Sequence, residues 1–191
     1  MLKVSCEISS LDAVAKVLLS GGVAVIPTDT VYGLAAHPDF PDAVERLYEI
    51  KGRSHKKPIA MLASCVDDVE KLGFPVSGRT RALAQKYWPG ALTLILFKGA
   101  ESEGFRVPAH EWTRALIAKC GGALRVTSAN LSGAQAAVEA SEALRSVGYS
   151  FDILVDDGIS PGGVASTVVS VDPDGSINVL RQGAIEVGSD V

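Results

Sequence analysis

Short unbroken apolar runs alternate along the chain with segments whose apolar residues recur every three or four positions, and this alternation predicts the order of elements. Leu11, Val14, Ala15 and Leu18 share one helical face, with Ser9 or Ser10 available as N-cap and Gly21-Gly22 as the stop. Val23-Ala24-Val25-Ile26 follows as a run with no polar position, the pattern of a strand buried on both faces. A second helix is expected from Pro41, because proline is tolerated in a first helical turn and Val44, Leu47 and Tyr48 then share a face. Gly52 closes it, and Pro58-Ile59-Ala60-Met61-Leu62 reads as the next buried strand.

The pattern continues with a short helical turn over residues 67–72 and a helix over 79–87, capped by Ser77 and stopped by Trp88-Pro89-Gly90. A strand is expected over 91–97, a polar turn over 98–104, and then Phe105-Arg106-Val107-Pro108, which places one arginine among apolar neighbours. Such an arginine is a candidate for a buried ion pair or for a ligand-facing group. Helices are expected over 111–119 and 139–147, and strands over 123–126, 153–155, 166–171 and 177–180. The last two strands flank Asp172-Pro173-Asp174-Gly175, a strong hairpin turn. The order predicts an α/β domain with a mixed sheet, its antiparallel part near the C-terminal end.

Polar groups arrive abruptly at the ends of apolar elements. Hydroxyls replace aliphatics in Thr28-Asp29-Thr30-Val31-Tyr32, and again in Thr127-Ser128-Ala129-Asn130. Strand ends of this kind are where open α/β sheets keep their ligands. Between two core elements hangs Lys51-Gly52-Arg53-Ser54-His55-Lys56-Lys57, a concentration of cations in a chain whose formal net charge is −4. Held rigid, such a loop suits a polyphosphate or a carboxylate, with arginine forking onto paired oxygens and lysine acting as a point charge. A solvated basic face that complements the helix dipole accounts for the charge equally well. With Arg106, these segments suggest a concave anion site, and Arg181 would add to it.

Composition narrows the class. A chain of 191 residues, 47% hydrophobic and 21% charged, with no repeat or low-complexity tract, is expected to form one compact domain. Cys6, Cys65 and Cys120 are odd in number and widely spaced, which argues against a disulfide framework and fits a reducing cytoplasm. No run of eighteen apolar residues is present, so no membrane span is expected. The acidic balance disfavours a broad nucleic-acid surface. No Gly-x-x-x-x-Gly-Lys-Ser/Thr or Gly-x-Gly-x-x-Gly occurs, so side chains would have to hold any nucleotide. His37, His55 and His110 lack metal-ligand spacing and read as ordinary loop residues. Asp156-Asp157-Gly158 is a possible cation site or a solvated turn, and Ser128 lacks the serine-hydrolase elbow.

Lys51-x-Arg53 together with Ser128-x-Asn130 resembles the hallmark of the YrdC family of threonylcarbamoyl-adenylate synthases. The resemblance extends in order through residues 27–34, Trp88-Pro89-Gly90, residues 106–110, residues 128–133, Ser166-Thr167-Val168-Val169 and Leu180-Arg181-x-Gly183. It implies a single YrdC-like domain over residues 1–191, its core over about residues 10–185, with a twisted mixed parallel and antiparallel sheet and flanking helices around a large cationic cavity. It implies an enzyme, a nucleotidyltransferase that converts L-threonine, bicarbonate and ATP, with magnesium, into threonylcarbamoyl-AMP and pyrophosphate. A transferase complex would then consume the product in tRNA modification. By matching positions, Lys51, Arg53, Ser128 and Asn130 would be catalytic, Arg53, Lys57, Ser128 and Arg181 would hold ATP, and Thr30, Arg106 and Ser166 would hold threonine. No protein-bound metal site is implied. The competing readings are an RNA-binding module, which brings tRNA in as a direct partner, and a carbamoyl-adenylating domain related to hydrogenase maturation. Gln182 departs from the proline of many relatives and leaves the path after Arg181 open, and residues 98–104 are shorter than in many relatives.

Overall fold

The computed structural model describes residues 1–172 and 174–188. Its strands are β1 (Leu2–Ser5), β2 (Val23–Ile26), β3 (Gly33–Ala36), β4 (Met61–Ala63), β5 (Leu92–Lys98), β6 (Glu101–Arg106), β7 (Ala123–Ser128), β8 (Ile153–Asp156), β9 (Thr167–Val171) and β10 (Ile177–Arg181). All lie in one sheet, in the order β1-β8-β2-β3-β7-β4-β6-β5-β9-β10. The helices are α1 (Leu11–Leu18), α2 (Pro41–Lys51), α3 (Val66–Lys71), α4 (Gly78–Tyr87), α5 (Glu111–Lys119) and α6 (Ala140–Val147).

The sheet is mixed, as the alternation predicts, but its antiparallel pairs are not gathered near the C-terminal end. Parallel pairs are β1 with β8, β8 with β2, β4 with β6, and β5 with β9. Antiparallel pairs run from β2/β3 through β3/β7 and β7/β4 to β6/β5 and β9/β10. The connection over residues 27–32 is too short for a parallel crossover, so β3 must turn back along β2.

Three further expectations are corrected. Residues 98–104 are not a polar turn: β5 and β6 form a hairpin, Leu94 opposite Phe105 and Lys98 opposite Glu101, that turns at Gly99 with φ of 61°. The charged tip of the hairpin is exposed, which is why it reads as a loop. Ser10 does not cap α1; its hydroxyl donates to Glu7 O (2.8 Å) within a 3-10 turn over Ile8–Ser10. Ser77 does cap α4, in a reciprocal pair with Thr80. The strand expected from Pro58 begins only at Met61. In the last hairpin Gly175 N donates to Asp172 O (2.8 Å), while Pro173 lies outside the described residues.

Alternation along the strands divides the interior. Ala24 and Ile26 of β2 face α1 and α5, in a cluster with Leu18, Leu116, Leu124 and Val155. Val23 and Val25 face the other way, toward α2 and α6, with Leu34, Leu47, Ala143 and Leu154. At the far end of the sheet Leu92, Leu94, Phe105 and Val169 meet α3 and α4 through Val69, Leu83 and Ala84. The residues that alternate with that third cluster, Thr93, Ile95, Gly104, Arg106 and Val168, face a cavity instead. One face of β5, β6 and β9 is therefore core and the other borders the cavity.

Candidate active site

The cavity measures about 490 Å³ and lies over β4, β5, β6, β7 and β9. Gly104 contributes floor: a Cβ there would stand 3.3 Å from Ala60 Cβ and Ile95 Cδ1, so a side chain would fill the space. The walls carry Arg53, Lys56, Lys57, Arg106 and Arg181 against a single carboxylate, Glu103.

The basic loop reaches the cavity because α2 ends where it does. Gly52 takes the left-handed conformation (φ 57°), and Arg53 N reaches back to Tyr48 O (3.0 Å), which turns the chain out of the helix. Arg53 is then held by donation from Nε to Lys57 O (2.8 Å) and from Nη2 to Pro58 O (3.2 Å). The loop is braced by its own arginine.

Lys51 is placed differently from its neighbours. Its side chain is 2% exposed and is not among the lining groups. Nζ donates to Ser128 O, to Asn130 O (2.6 Å) and to Asn130 Oδ1 (3.3 Å), and it stands 3.4 Å from Ser128 Oγ. Asn130, also buried, donates from Nδ2 to Leu131 O (2.9 Å) and Ala134 O (2.7 Å). Lys51 and Asn130 thus lie behind the wall and set the turn after β7, while Ser128 lines the cavity. Burial, with a smaller contribution from the charge on Arg53, pushes Lys51 down to about 8.

Arg106 is buried in an ion pair and also lines the cavity. Nη2 pairs with Asp29 Oδ1, Nη1 donates to Thr30 Oγ1 (2.8 Å) and Nε donates to Gly90 O (2.9 Å), with the side chain 7% exposed. Three of its five N–H groups are so engaged, and one remains on each terminal nitrogen. Burial holds its guanidinium below the ordinary arginine range, with Asp29 opposing that shift. Thr30 is fixed in turn, its Oγ1 lying 3.0 Å from Thr28 Oγ1, which donates to Val31 O (2.7 Å).

Ser166 closes the far wall. Its hydroxyl lies 2.8 Å from Thr93 Oγ1, and its carbonyl accepts from Arg181 Nη2 (2.7 Å) and Nε (3.2 Å). Burial and then the charge on Arg53 lower the Arg181 guanidinium from its usual value, so the two arginines feel each other across the cavity. Among the described residues no carboxylate pairs with Arg53, Lys56, Lys57 or Arg181. The path after Arg181 is tied down by Gln182 Nε2 donating to Ile185 O (2.8 Å) and Gly183 N donating to Thr167 Oγ1 (3.0 Å).

The structure thus brings Thr30, Arg53, Lys57, Arg106, Ser128, Ser166 and Arg181 to one cavity and sets Lys51 and Asn130 behind it. It adds groups that sequence reasoning missed. Glu103 lies in the segment read as a turn and forms an ion pair with Arg125 (2.5 Å), which also donates to Ile59 O (2.7 Å). Thr93 was discoverable, because it is the lone hydroxyl in an otherwise apolar strand.

Comparison with known proteins bears on this arrangement. The Sua5/YciO/YrdC family model, described as "Telomere recombination", matches residues 16–183. The threonylcarbamoyl-AMP synthase of Bacillus subtilis (strain 168) is 35% identical over 182 residues, covering 90% of this chain and 52% of that protein. A putative threonylcarbamoyl-AMP synthase of Mycobacterium leprae is 32% identical over 180 residues, covering 89% and 81%. Among solved structures, Pyrococcus abyssi Sua5 complexed with L-threonine superposes with a TM-score of 0.86 at 28% identity, covering 95% of this chain and 56% of that one. The chain therefore spans about half the length of the B. subtilis and P. abyssi proteins. With most of its length matched by the family model and its fold shared with a member of known structure, the chain belongs to the Sua5/YciO/YrdC family.

Proposed function

We propose that this protein is a threonylcarbamoyl-AMP synthase, forming threonylcarbamoyl-AMP and pyrophosphate from L-threonine, bicarbonate and ATP in the cytoplasm. The observation that carries the reading is the set of four cavity cations, Arg53, Lys56, Lys57 and Arg181, with no carboxylate partner among the described residues, facing the buried Arg106 and Thr30. Unpaired cations around a cavity of this size call for a polyanion, and the partly engaged Arg106 calls for a carboxylate.

In this reading the triphosphate lies along Arg53, Lys57, Ser128 and Arg181, and threonine sits against Thr30, Ser166 and the two free N–H groups of Arg106. Threonine nitrogen takes up the carbon of bicarbonate with loss of water, and an oxygen of the resulting carbamate attacks the α-phosphorus of ATP, expelling pyrophosphate. Both partners are anionic, so the protein's part is to hold them in line and to neutralise charge. Lys51 and Asn130 act as positioning residues through Ser128. Magnesium enters with ATP, carried by phosphate oxygens and water. The lining offers one carboxylate, Glu103, already paired with Arg125, so the protein adds little to that ion's coordination. The product supplies a transferase complex that modifies tRNA.

Titration calorimetry separates the two subsites. Arg53→Ala is expected to lose ATP affinity and keep L-threonine binding, and Arg106→Lys is expected to do the reverse. If neither substitution weakens its ligand in a folded protein, the assignment is wrong.

A further inference from the structure

Away from the cavity, three side chains of different chemistry meet at the ends of three elements. Ser5 and Asp156 are the last paired residues of the parallel strands β1 and β8, and Cys6 and Asp157 follow them, Cys6 N donating to Asp156 O (2.9 Å). His110 is the N-cap residue of α5. One atom from each side chain, the Cys6 sulfur, a His110 ring nitrogen and an Asp157 carboxylate oxygen, all lie within 4.8 Å of one another.

The hydrogen bonds around His110 fit two tautomers. Thr113, fully buried, donates its hydroxyl proton to Pro27 O (2.8 Å), and its Oγ1 stands 2.9 Å from His110 Nδ1. A proton on Nδ1 satisfies that contact, whereas the capping bond of α5, in which Nδ1 accepts from Thr113 N (3.3 Å), belongs to the other tautomer. In the capping tautomer Nε2–H donates to Asp157 Oδ2 (2.9 Å); with the proton on Nδ1 instead, the Nε2 lone pair faces that oxygen. Two lone pairs that close need a positive centre between them, either a proton or a metal ion. A metal-ligating histidine commonly donates its other ring N–H to a neighbouring oxygen, the part Thr113 Oγ1 would play for Nδ1–H while Nε2 binds the ion.

We propose that Cys6, His110 and Asp157 bind a divalent transition-metal ion of the zinc type, with water completing a tetrahedron. Mixed sulfur, nitrogen and oxygen donors suit zinc, whereas magnesium and calcium take oxygen ligands, so this site is distinct in kind from any ion that enters with ATP. Bonds of about 2.0–2.1 Å to nitrogen and oxygen set those two atoms roughly 3.3 Å apart in a tetrahedron, a small adjustment from the observed contact. Without metal, burial and the adjacent Asp157 push the Cys6 thiol up to about 12, so it remains protonated. Metal binding must expel that proton, and affinity therefore falls as pH falls.

The ion would act on the cavity through the segment that follows Asp157. Asp157 N donates to Tyr32 Oη (2.9 Å), Tyr32 donates to Gly158 O (2.8 Å), and Tyr32 lines the cavity. Gly162, farther along, lies so close to Asp29 that a Cβ would stand 2.6 Å from its carbonyl oxygen. Fixing Asp157 would steady this segment against the wall that carries Thr30.

The test is a Co²⁺ titration of chelator-stripped protein, which reads the site independently of turnover. The expected result is a thiolate-to-cobalt charge-transfer band that saturates at a single equivalent, with visible bands of tetrahedral intensity, both removed by Zn²⁺. Cys6→Ser abolishes the charge-transfer band, and Asp157→Ala shifts the titration to higher Co²⁺; circular dichroism confirms that both variants are folded. Absence of a thiolate band in the wild type overturns the proposal. So does a band that survives in Cys6→Ser and disappears in Cys65→Ser.

Discussion

Replacing Lys51 with methionine separates what a buried cation contributes from what it costs. The methionine keeps the apolar stem of the side chain but removes an ammonium that donates to Ser128 O and Asn130 O from behind the cavity wall. Ser128 O keeps the donation from Asn130 N (2.9 Å), but Asn130 O is left without its donor, at a cost of about 1–3 kcal/mol. Against this stands the burial of an ammonium that no carboxylate neutralises among the described residues, which pushes Lys51 down to about 8 from 10.5. A fall of that size corresponds to on the order of 3 kcal/mol between the charged and neutral forms. The two effects are comparable, so stability at neutral pH should change by no more than about 2 kcal/mol. The pH dependence should change decisively. Because the folded-state value lies below the unfolded one, the unfolded chain binds more protons between about pH 8 and 10.5, and wild-type stability rises with pH across that window. Below pH 8 both states hold the proton and the penalty is fully present. Urea denaturation from pH 7 to 10 should therefore show the wild type gaining on Lys51→Met by roughly 2–3 kcal/mol, other titrating groups cancelling in the difference. A difference that stays flat with pH would refute the burial argument.

Arg53→Ala should leave the fold intact, since that side chain bonds only to carbonyls of its own loop, and should slow turnover about 10²- to 10³-fold; near-normal turnover by the folded variant would remove Arg53 from the mechanism. Arg106→Met strands the buried Asp29 carboxylate and should cost about 3–5 kcal/mol in denaturant titrations, much of it recovered when Asp29→Asn is added. Strict additivity of those two substitutions would show that the pair is not coupled. Gly52→Ala meets open space around its Cβ, so only the left-handed backbone should matter, at about 1 kcal/mol; a stabilised variant would contradict the observed end of α2.

The elements read correctly from the sequence are those whose local signals and tertiary surroundings agree. β2 is apolar at every position because both its faces are covered, and α2 is marked at both ends by Pro41 and Gly52. β3 went unread because Gly33, Ala35 and Ala36 are poor strand formers that become a strand only between β2 and β7. β6 was hidden by Glu101, Ser102 and Glu103, whose exposure at a hairpin tip resembles that of a loop. The basic loop and the hydroxyl-rich strand ends were visible as chemistry, and family resemblance supplied the roles of individual residues. Neither signal separates Lys51 from Arg53. Only the fold reveals that one points behind the wall and the other into the cavity. Nor does spacing along the chain reveal that His110, a helix cap, meets Asp157.

The central claim is tested most directly by pyrophosphate release from ATP with magnesium, measured with and without L-threonine and bicarbonate, with L-serine as control and mass spectrometry of the products. The account predicts release that requires both L-threonine and bicarbonate, together with a product of the mass of threonylcarbamoyl-AMP. A folded, ATP-binding protein that releases no pyrophosphate under any combination would contradict it, and RNA binding across a salt series would then become the reading to pursue.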